Sequence, residues 1–324
     1  MKHSSITVQI FFGILLGSAL AQDARITISP RDTRGHPAAS PQGSARIRVD
    51  SDLVLVPVLV TDIDDRLVTG LDKSHFKVFE DDVPQEISTF ASEDAPVSIA
   101  LLFDTSGSMG EKLKKSRMAV NEFLGESNPD DEFALIEFND RARLLVPFTS
   151  RPEDIQDQMI FLASQGRTAL FDAVSLALNE MKHARHSRKA ILIVSDGGDN
   201  ASRFSEREVR KRVKEADVQI YSIGILESMS RRWGTPEEER GPRLLQDIAS
   251  HTGGRLVEVV TANGLPEIAA KIGMALRNQY VLGYSPSMPR RDGKFHRITV
   301  KLEPPVGSPK LRASFRTSYL APEH

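Results

Sequence analysis

The pattern of hydrophobic and polar residues changes twice along the chain. Between Pro96 and Asn278, short apolar runs alternate with amphipathic segments of helical periodicity. This alternation predicts a mostly parallel β-sheet with helices on both faces. Six strands are predicted near residues 97–103, 132–138, 142–147, 189–195, 218–225 and 255–259. Helices are predicted between and after them near residues 111–126, 152–163, 169–185, 205–216, 242–251 and 264–279.

On either side of this region the polarity alternates with a period of two, which is typical of half-buried antiparallel strands. The runs His75 to Glu80 and Phe295 to Leu302 show it clearly. We therefore predict a doubly wound α/β domain at residues 96–279, with a six-stranded sheet. The β segments at residues 46–95 and 280–324 are predicted to pack together as a small antiparallel, sandwich-like unit.

The N-terminus has the pattern of a secretory signal peptide. Met1-Lys2-His3 precedes an uncharged apolar run from Ile6 to Leu20, and small residues at Ala19 and Ala21 predict cleavage after Ala21. The run is shorter than the roughly 20 residues of a spanning helix, although an uncleaved N-terminal anchor is the alternative. Residues 1–21 are thus predicted to be a signal peptide and residues 22–45, rich in Pro, Ser and Gly, a flexible linker.

The amino-acid composition reduces the number of plausible cellular locations and classes of partner. The chain has 324 residues, no cysteine and a formal net charge of −2. Nothing in this charge favours nucleic acid as a partner. Export without disulfides favours a bacterial periplasm, cell envelope or exterior over a small disulfide-built secreted domain. After signal cleavage no membrane span is expected.

The most informative motif follows the first predicted α/β strand. Leu101-Leu102-Phe103 runs directly into Asp104, with hydroxyls at Ser106 and Ser108. The carboxyl end of a strand is where open α/β sheets bind ligands. These side chains offer only oxygen, which suits a hard cation such as Mg²⁺. Taken alone, the decapeptide Leu101 to Gly110 is equally compatible with a polar, glycine-containing turn.

Two further segments could complete such a cation site. Thr168 precedes a predicted helix, and Asp196 follows the apolar strand Ile191 to Val194 in the way Asp104 follows its own strand. If the two strands are neighbours, both carboxylates meet at one edge of the sheet.

The order Asp104-x-Ser106-x-Ser108, Thr168, Asp196-Gly197 resembles the metal-ion-dependent adhesion site of the von Willebrand factor type A domain. The resemblance covers about Pro96 to Asn278, and the whole chain is similar to secreted bacterial proteins of this kind. It implies that Ser106, Ser108 and Thr168 supply hydroxyl ligands, and that Asp104 and Asp196 bind directly or through water. The implied ion is Mg²⁺, with Mn²⁺ or Ca²⁺ as alternatives.

The resemblance also implies a function. An open coordination position on the ion would take a carboxylate from a protein partner, so we expect a secreted, non-catalytic binding or adhesion module rather than an enzyme. The alternative is a structural or assembly subunit of the cell envelope, in which the metal mainly stabilises the fold. The oligomeric state and the identity of the partner are left open by the sequence.

Overall fold

The computed structural model describes residues 53–92, 95–225, 236–259, 264–288, 290–305, 307 and 309–323. The predicted signal peptide and linker lie outside the described residues. None of the helices within the described residues is long and apolar enough to cross a membrane. In chain order the N-terminal strands are β1 (Val54–Thr61), β2 (Phe76–Glu80), β3 (Val83–Gln85) and β4 (Ile87–Ala91).

The central region alternates strands and helices as predicted. Its strands are β5 (Val97–Asp104), β6 (Glu132–Phe138), β7 (Ala142–Thr149), β8 (Arg188–Ser195), β9 (Gln219–Ile225) and β10 (Leu256–Val259). Its helices are α1 (Leu113–Gly125), α2 (Pro152–Ile160), α3 (Leu170–Glu180), α4 (Glu206–Glu215), α5 (Pro236–Ser250) and α6 (Leu265–Arg277). Four strands follow: β11 (Tyr280–Tyr284), β12 (Phe295–Leu302), β13 (Arg312–Phe315) and β14 (Ser318–Leu320).

The six central strands form one sheet in the order β10-β9-β8-β5-β6-β7. All pairings are parallel except that of β6 with β7, which is antiparallel. Alternate residues of β5 enter two different cores: Leu101 and Phe103 pack with α1, α2 and α6, whereas Leu102 packs with α3, α4 and α5. The doubly wound, mostly parallel fold predicted from the sequence is thereby confirmed.

The flanking strands form two further antiparallel sheets, ordered β13-β1-β11-β4 and β14-β12-β2-β3. Val56 and Val58 from the first sheet share a buried core with Val78 and Val300 from the second. The side chain of Leu59 in β1 points the other way and joins the core of the central sheet. The flanking sheets therefore pack directly on the α/β region.

Several element boundaries differ from the prediction, among them the end of α3 at Glu180 instead of residue 185, the start of α5 and the division of the last strand. Helix α5 begins at Pro236, six residues before the predicted start, and continues through Pro242. Proline is favoured in the first helical turn, which agrees with a start at Pro236. The strand character seen from Leu311 to Tyr319 is divided between β13 and β14, because the chain crosses from one flanking sheet to the other at Arg316 and Thr317.

The turn before β10 fixes β13 against the central sheet. Thr252 forms an isolated antiparallel bridge with Arg316, and Gly253 beside it has a φ of 85°. A Cβ atom on Gly253 would lie 2.7 Å from the carbonyl carbon of Phe315. Only glycine fits here without moving β13 away.

We predict that Gly253→Ala lowers the free energy of unfolding by about 2–4 kcal/mol, because it combines left-handed backbone strain with overpacking. Chemical denaturation monitored by circular dichroism measures the change. Gly125→Ala is the matched control, since a Cβ atom there has no neighbour within 4 Å and Gly125 lies in α1. The control should be neutral or stabilising by up to about 1 kcal/mol; equal destabilisation of both variants would contradict this account.

Candidate metal centre

Asp104 and Asp196 lie side by side because their strands are neighbours. In the parallel pairing of β5 with β8, Phe103 lies opposite Val194, so the next residues leave the sheet at the same edge. Asp104 is the last residue of β5, and Asp196 follows the last residue of β8. Asp104 is fully buried and Asp196 is 4% exposed.

Each carboxylate oxygen of Asp104 accepts one hydrogen bond. The backbone N–H of Ser106 donates to Oδ1 over 2.8 Å, and the hydroxyl of Ser195 donates to Oδ2 over 2.6 Å. Ser195 Oγ also accepts the N–H of Gly197 at 2.9 Å. Ser195, which the sequence did not single out, therefore connects the two aspartate loops.

The hydroxyls of Ser106 and Ser108 face each other. Their oxygens are 3.2 Å apart, and Ser106 is almost completely buried. A short 3₁₀ turn at Gly107–Met109 holds this arrangement, with Met109 buried beneath it. Asp104, Ser106 and Ser108 thus form one polar cluster directly after β5.

The loop that carries Thr168 packs against this cluster. The N–H of Gly107 donates to the carbonyl of Gly166 over 3.0 Å, and the N–H of Gln165 donates to the carbonyl of Thr105 over 2.8 Å. Thr168 Oγ1 lies 3.9 Å from the position that a Cβ atom on Gly198 would take. Three loops with all five predicted site residues therefore converge at one edge of the sheet.

Gly197 permits the close approach of the Asp196 loop to α5. Its φ is 94°, and a Cβ atom there would lie 2.5 Å from the carbonyl carbon of Gly241. A Cβ atom on Gly241 would in turn lie 2.5 Å from the carbonyl oxygen of Asp196. These two glycines let backbone pack on backbone beside the aspartate.

Lys112 is placed differently from the prediction. The helical periodicity of residues 111–126 predicts that Lys112 faces solvent, together with Lys114, Lys115 and Glu122. In the structure Lys112 is 8% exposed, and its Nζ lies 2.8 Å from Asp196 Oδ2. Lys112 precedes the first residue of α1, where helical periodicity does not yet determine which way a side chain points. Sequence reasoning missed this member of the site.

Asp199 also differs from the solvated turn residue that its position after Gly198 suggests. Its Oδ1 accepts the N–H of Phe171 and the hydroxyl of Ser202, at 3.1 Å and 2.5 Å. Burial raises the pKa of this carboxyl. Asp199 therefore ties the Asp196 loop to the first turn of α3 rather than facing water alone.

A second layer of polar residues supports the loops from behind. Thr105 Oγ1 donates to Glu137 Oε1 over 2.9 Å, and Arg143 donates to Glu137 Oε2 over 2.7 Å. Asn139 donates to Thr105 Oγ1, and its carbonyl accepts the N–H of Ala169, next to Thr168. The polar residues at the end of β6 were the available sequence signal for this network.

The donor set fits a hard divalent cation. Burial, and secondarily the charge of Asp196, raise the pKa of Asp104 to about 7. Among the described residues, no hydrogen-bond partner satisfies the buried Oδ1 of Asp196. A cation would relieve both costs, and carboxylate and hydroxyl oxygens are the ligands that Mg²⁺ and Ca²⁺ prefer. Among the described residues, no group of three His, Cys, Asp or Glu side chains is placed so that it could hold a metal ion.

Residues 99–198 match the family described as von Willebrand factor type A domain. This stretch runs from β5 to the loop after β8 and contains all five site residues. Residues 99–198 of the α/β region therefore match a von Willebrand factor type A domain.

Curated relatives align with part of the chain. An uncharacterized protein of Borreliella burgdorferi is 27% identical over 186 residues, which are 51% of this chain and 54% of that protein. Inter-alpha-trypsin inhibitor heavy chain H4 of Sus scrofa is 26% identical over 132 residues, 37% of this chain and 14% of that protein. The chain thus spans about half of the bacterial relative and a small share of the inhibitor heavy chain.

Two solved structures are similar to this chain at low sequence identity. A von Willebrand factor type A protein from Catenulispora acidiphila has a TM-score of 0.49 and 14% identity, over 85% of this chain and 75% of that one. Proximal thread matrix protein 1 from the mussel byssus, described with a zinc-occupied metal-ion-dependent adhesion site, has a TM-score of 0.44 and 22% identity, over 61% of this chain and 49% of that one.

In metal-free protein we predict that Asp104→Asn is more stable than wild type at pH 8. The pKa of Asp104 is about 7 in the folded protein, against an ordinary value of 3.8. The folded protein therefore holds this proton more tightly than the unfolded chain does. The resulting stability is fully present below pH 4 and is lost as the pH rises to 7. The variant avoids a cost of about 4 kcal/mol above pH 7, and its advantage should shrink as the pH falls to 4.

Urea unfolding in EDTA at several pH values measures this difference. Asp130→Asn, in the exposed turn before β6, is the control for removing one carboxylate. A stability difference between Asp104→Asn and wild type that does not change with pH would show that Asp104 does not carry this cost.

Proposed function

We propose that this protein is an exported binding module that captures an acidic group of a protein partner through a divalent cation. The residues that would hold the ion are Asp104, Ser106, Ser108, Thr168 and Asp196. The observation that carries the proposal is the buried pair of carboxylates, one with an unsatisfied oxygen, enclosed by three loops rich in hydroxyls.

The charge of the cluster explains why such a site would favour an anionic partner. Two carboxylates balance the charge of one divalent ion, and neutral hydroxyls leave that balance unchanged. An ion so held would still attract an anionic oxygen, such as a Glu, Asp or C-terminal carboxylate. Mg²⁺ is the proposed ion, and Mn²⁺ or Ca²⁺ would suit the same oxygen ligands.

The role of the domain supports binding rather than catalysis, since domains of this family are mostly non-catalytic interaction modules. Capture outside the cytoplasm agrees with the predicted signal peptide, so the proposed location is the periplasm, cell envelope or exterior. Ser195, Asp199, Thr105 and Glu137 would hold the loops in place through the hydrogen bonds described above.

A structural or assembly role in the cell envelope is the second candidate. It is favoured by the direct packing of the flanking sheets on the α/β domain, through Leu59 and the bridge between Thr252 and Arg316. In that case the ion would stabilise the fold without taking part in capture.

Calorimetric titration with Mg²⁺ and Mn²⁺ tests the metal site. We expect saturable one-site binding to the wild type and at least a hundredfold weaker binding to Asp104→Ala, because half of the anionic charge is lost. Asp130→Ala removes an exposed carboxylate before β6 and should bind like wild type. Equal affinity in wild type and Asp104→Ala would refute the proposed site.

A capture experiment separates the two functions. Tagged wild type, Asp104→Ala and Asp130→Ala are each incubated with envelope extract in Mg²⁺ and in EDTA. Metal-mediated binding predicts a protein retained by wild type and Asp130→Ala in Mg²⁺ only. If chelation lowers the melting temperature but leaves capture unchanged, the structural role is correct.

A further inference from the structure

A lysine ammonium already occupies part of the candidate metal site. Lys112 Nζ lies 2.8 Å from Asp196 Oδ2, and the side chains of the two residues are 10% and 5% exposed. Lysine is rarely buried unless it is paired, and here the ammonium of Lys112 donates to the carboxylate of Asp196. The Oδ2 atom that Lys112 contacts belongs to the same carboxylate as the unsatisfied Oδ1.

The backbone of Lys112 is anchored close to the site. Both the N–H and the hydroxyl of Ser116 donate to the carbonyl of Lys112, over 2.9 Å and 3.0 Å. Lys112 lies four residues after Ser108, so the loop that carries the serines also delivers the ammonium. The rest of its side chain is a flexible four-carbon stem, which can withdraw toward solvent while the backbone stays fixed.

Electrostatic repulsion disfavours a site that holds the Lys112 ammonium and a divalent ion at the same time. With both carboxylates ionised, Asp104, Asp196 and Lys112 together carry a charge of −1, which is modest for a buried cluster. Adding a divalent ion would bring the total to +1 in a place with little water, and both cations would depend on the Asp196 carboxylate.

We propose that Lys112 is a built-in competitor of the divalent ion: its ammonium pairs with Asp196 in the metal-free protein and must leave that carboxylate before the ion binds. Lys112 thereby stabilises the empty site and lowers its affinity for metal. This inference rests on the proposed function, because it assumes that the same five residues hold the ion.

This competition predicts that removing the ammonium lowers the stability of the metal-free protein and raises its affinity for metal. Replacing Lys112 by Met keeps the length of the stem and removes the ammonium, so the metal-free protein loses its ion pair while the metal-bound protein loses a rival charge. Lys112→Met should therefore be less stable than wild type in EDTA and should bind metal more tightly.

The experiment is a titration of full-length mature protein with Mn²⁺ alone, read by the electron paramagnetic resonance signal of free Mn²⁺. We expect Lys112→Met to bind Mn²⁺ at least tenfold more tightly than wild type. Lys114→Met is the matched control, since it removes an exposed charge two residues away on α1. Its affinity should stay within twofold of wild type.

Melting temperatures of the same proteins supply the second readout. Lys112→Met should melt below wild type in EDTA and at or above wild type in saturating Mn²⁺. If Lys112→Met does not fold without metal, two further measurements apply. Lys112→Arg keeps a cation at the position and should bind Mn²⁺ no more tightly than wild type. Lys112→Met refolded in Mn²⁺ and then titrated with EDTA should release its ion at a higher EDTA concentration than wild type does.

The possible outcomes distinguish this inference from the proposed function. If wild type binds Mn²⁺ and Lys112→Met binds it equally or more weakly, the competitor role is refuted while the metal site stands. If neither protein binds Mn²⁺, both the site and the competitor role are refuted. Tighter binding by both lysine variants would show a general effect of surface charge and would also refute the role of Lys112.

Discussion

The candidate site depends on the placement of two carboxylates at the ends of adjacent buried strands. Asp104 is fully desolvated next to Asp196, and this combination raises its pKa to about 7. A pair of buried like charges is unfavourable unless another charge balances it. In the structure described here, the balancing charge is the ammonium of Lys112, 2.8 Å from Asp196. The loops that follow β5 and β8 hold the charged groups of Asp104, Asp196 and Lys112 together.

Much of this arrangement could be predicted from the sequence because strand order in a doubly wound sheet is strongly constrained. The apolar runs before Asp104 and Asp196 are each followed by a polar loop, and parallel strands bring such loops to one edge. The positions of Ser106 and Ser108 follow from their proximity to Asp104 in the chain. Thr168 was harder to place from the residues alone, and its loop reaches the site through the hydrogen bonds of Gly166 and Gln165 to the serine loop.

The remaining features depend on packing between segments that are distant in the chain. Lys112 meets Asp196 across 84 residues, and no local pattern indicates that its stem turns inward. The position of Asp199 after Gly198 is typical of a solvated turn residue, yet its carboxylate accepts a hydrogen bond from the N–H of Phe171 at the start of α3. The division of Leu311 to Tyr319 into two strands arises because β13 and β14 pair with different partners, β1 and β12. Hydrophobic periodicity predicts which face of a segment is buried, but it does not predict which other segment packs against that face.

The flanking sheets contact the α/β domain at the edge opposite the aspartates. Arg316 Nη1 lies 2.8 Å from Asp217 Oδ1, just before β9 begins, and Arg255 Nη1 lies 3.5 Å from Asp65 Oδ1, just before β10 begins. These contacts, like the Thr252 bridge, are at the amino ends of strands, whereas Asp104 and Asp196 are at carboxyl ends. Anchoring contacts and the candidate site therefore use opposite edges of one sheet, so capture at one edge is compatible with permanent packing at the other.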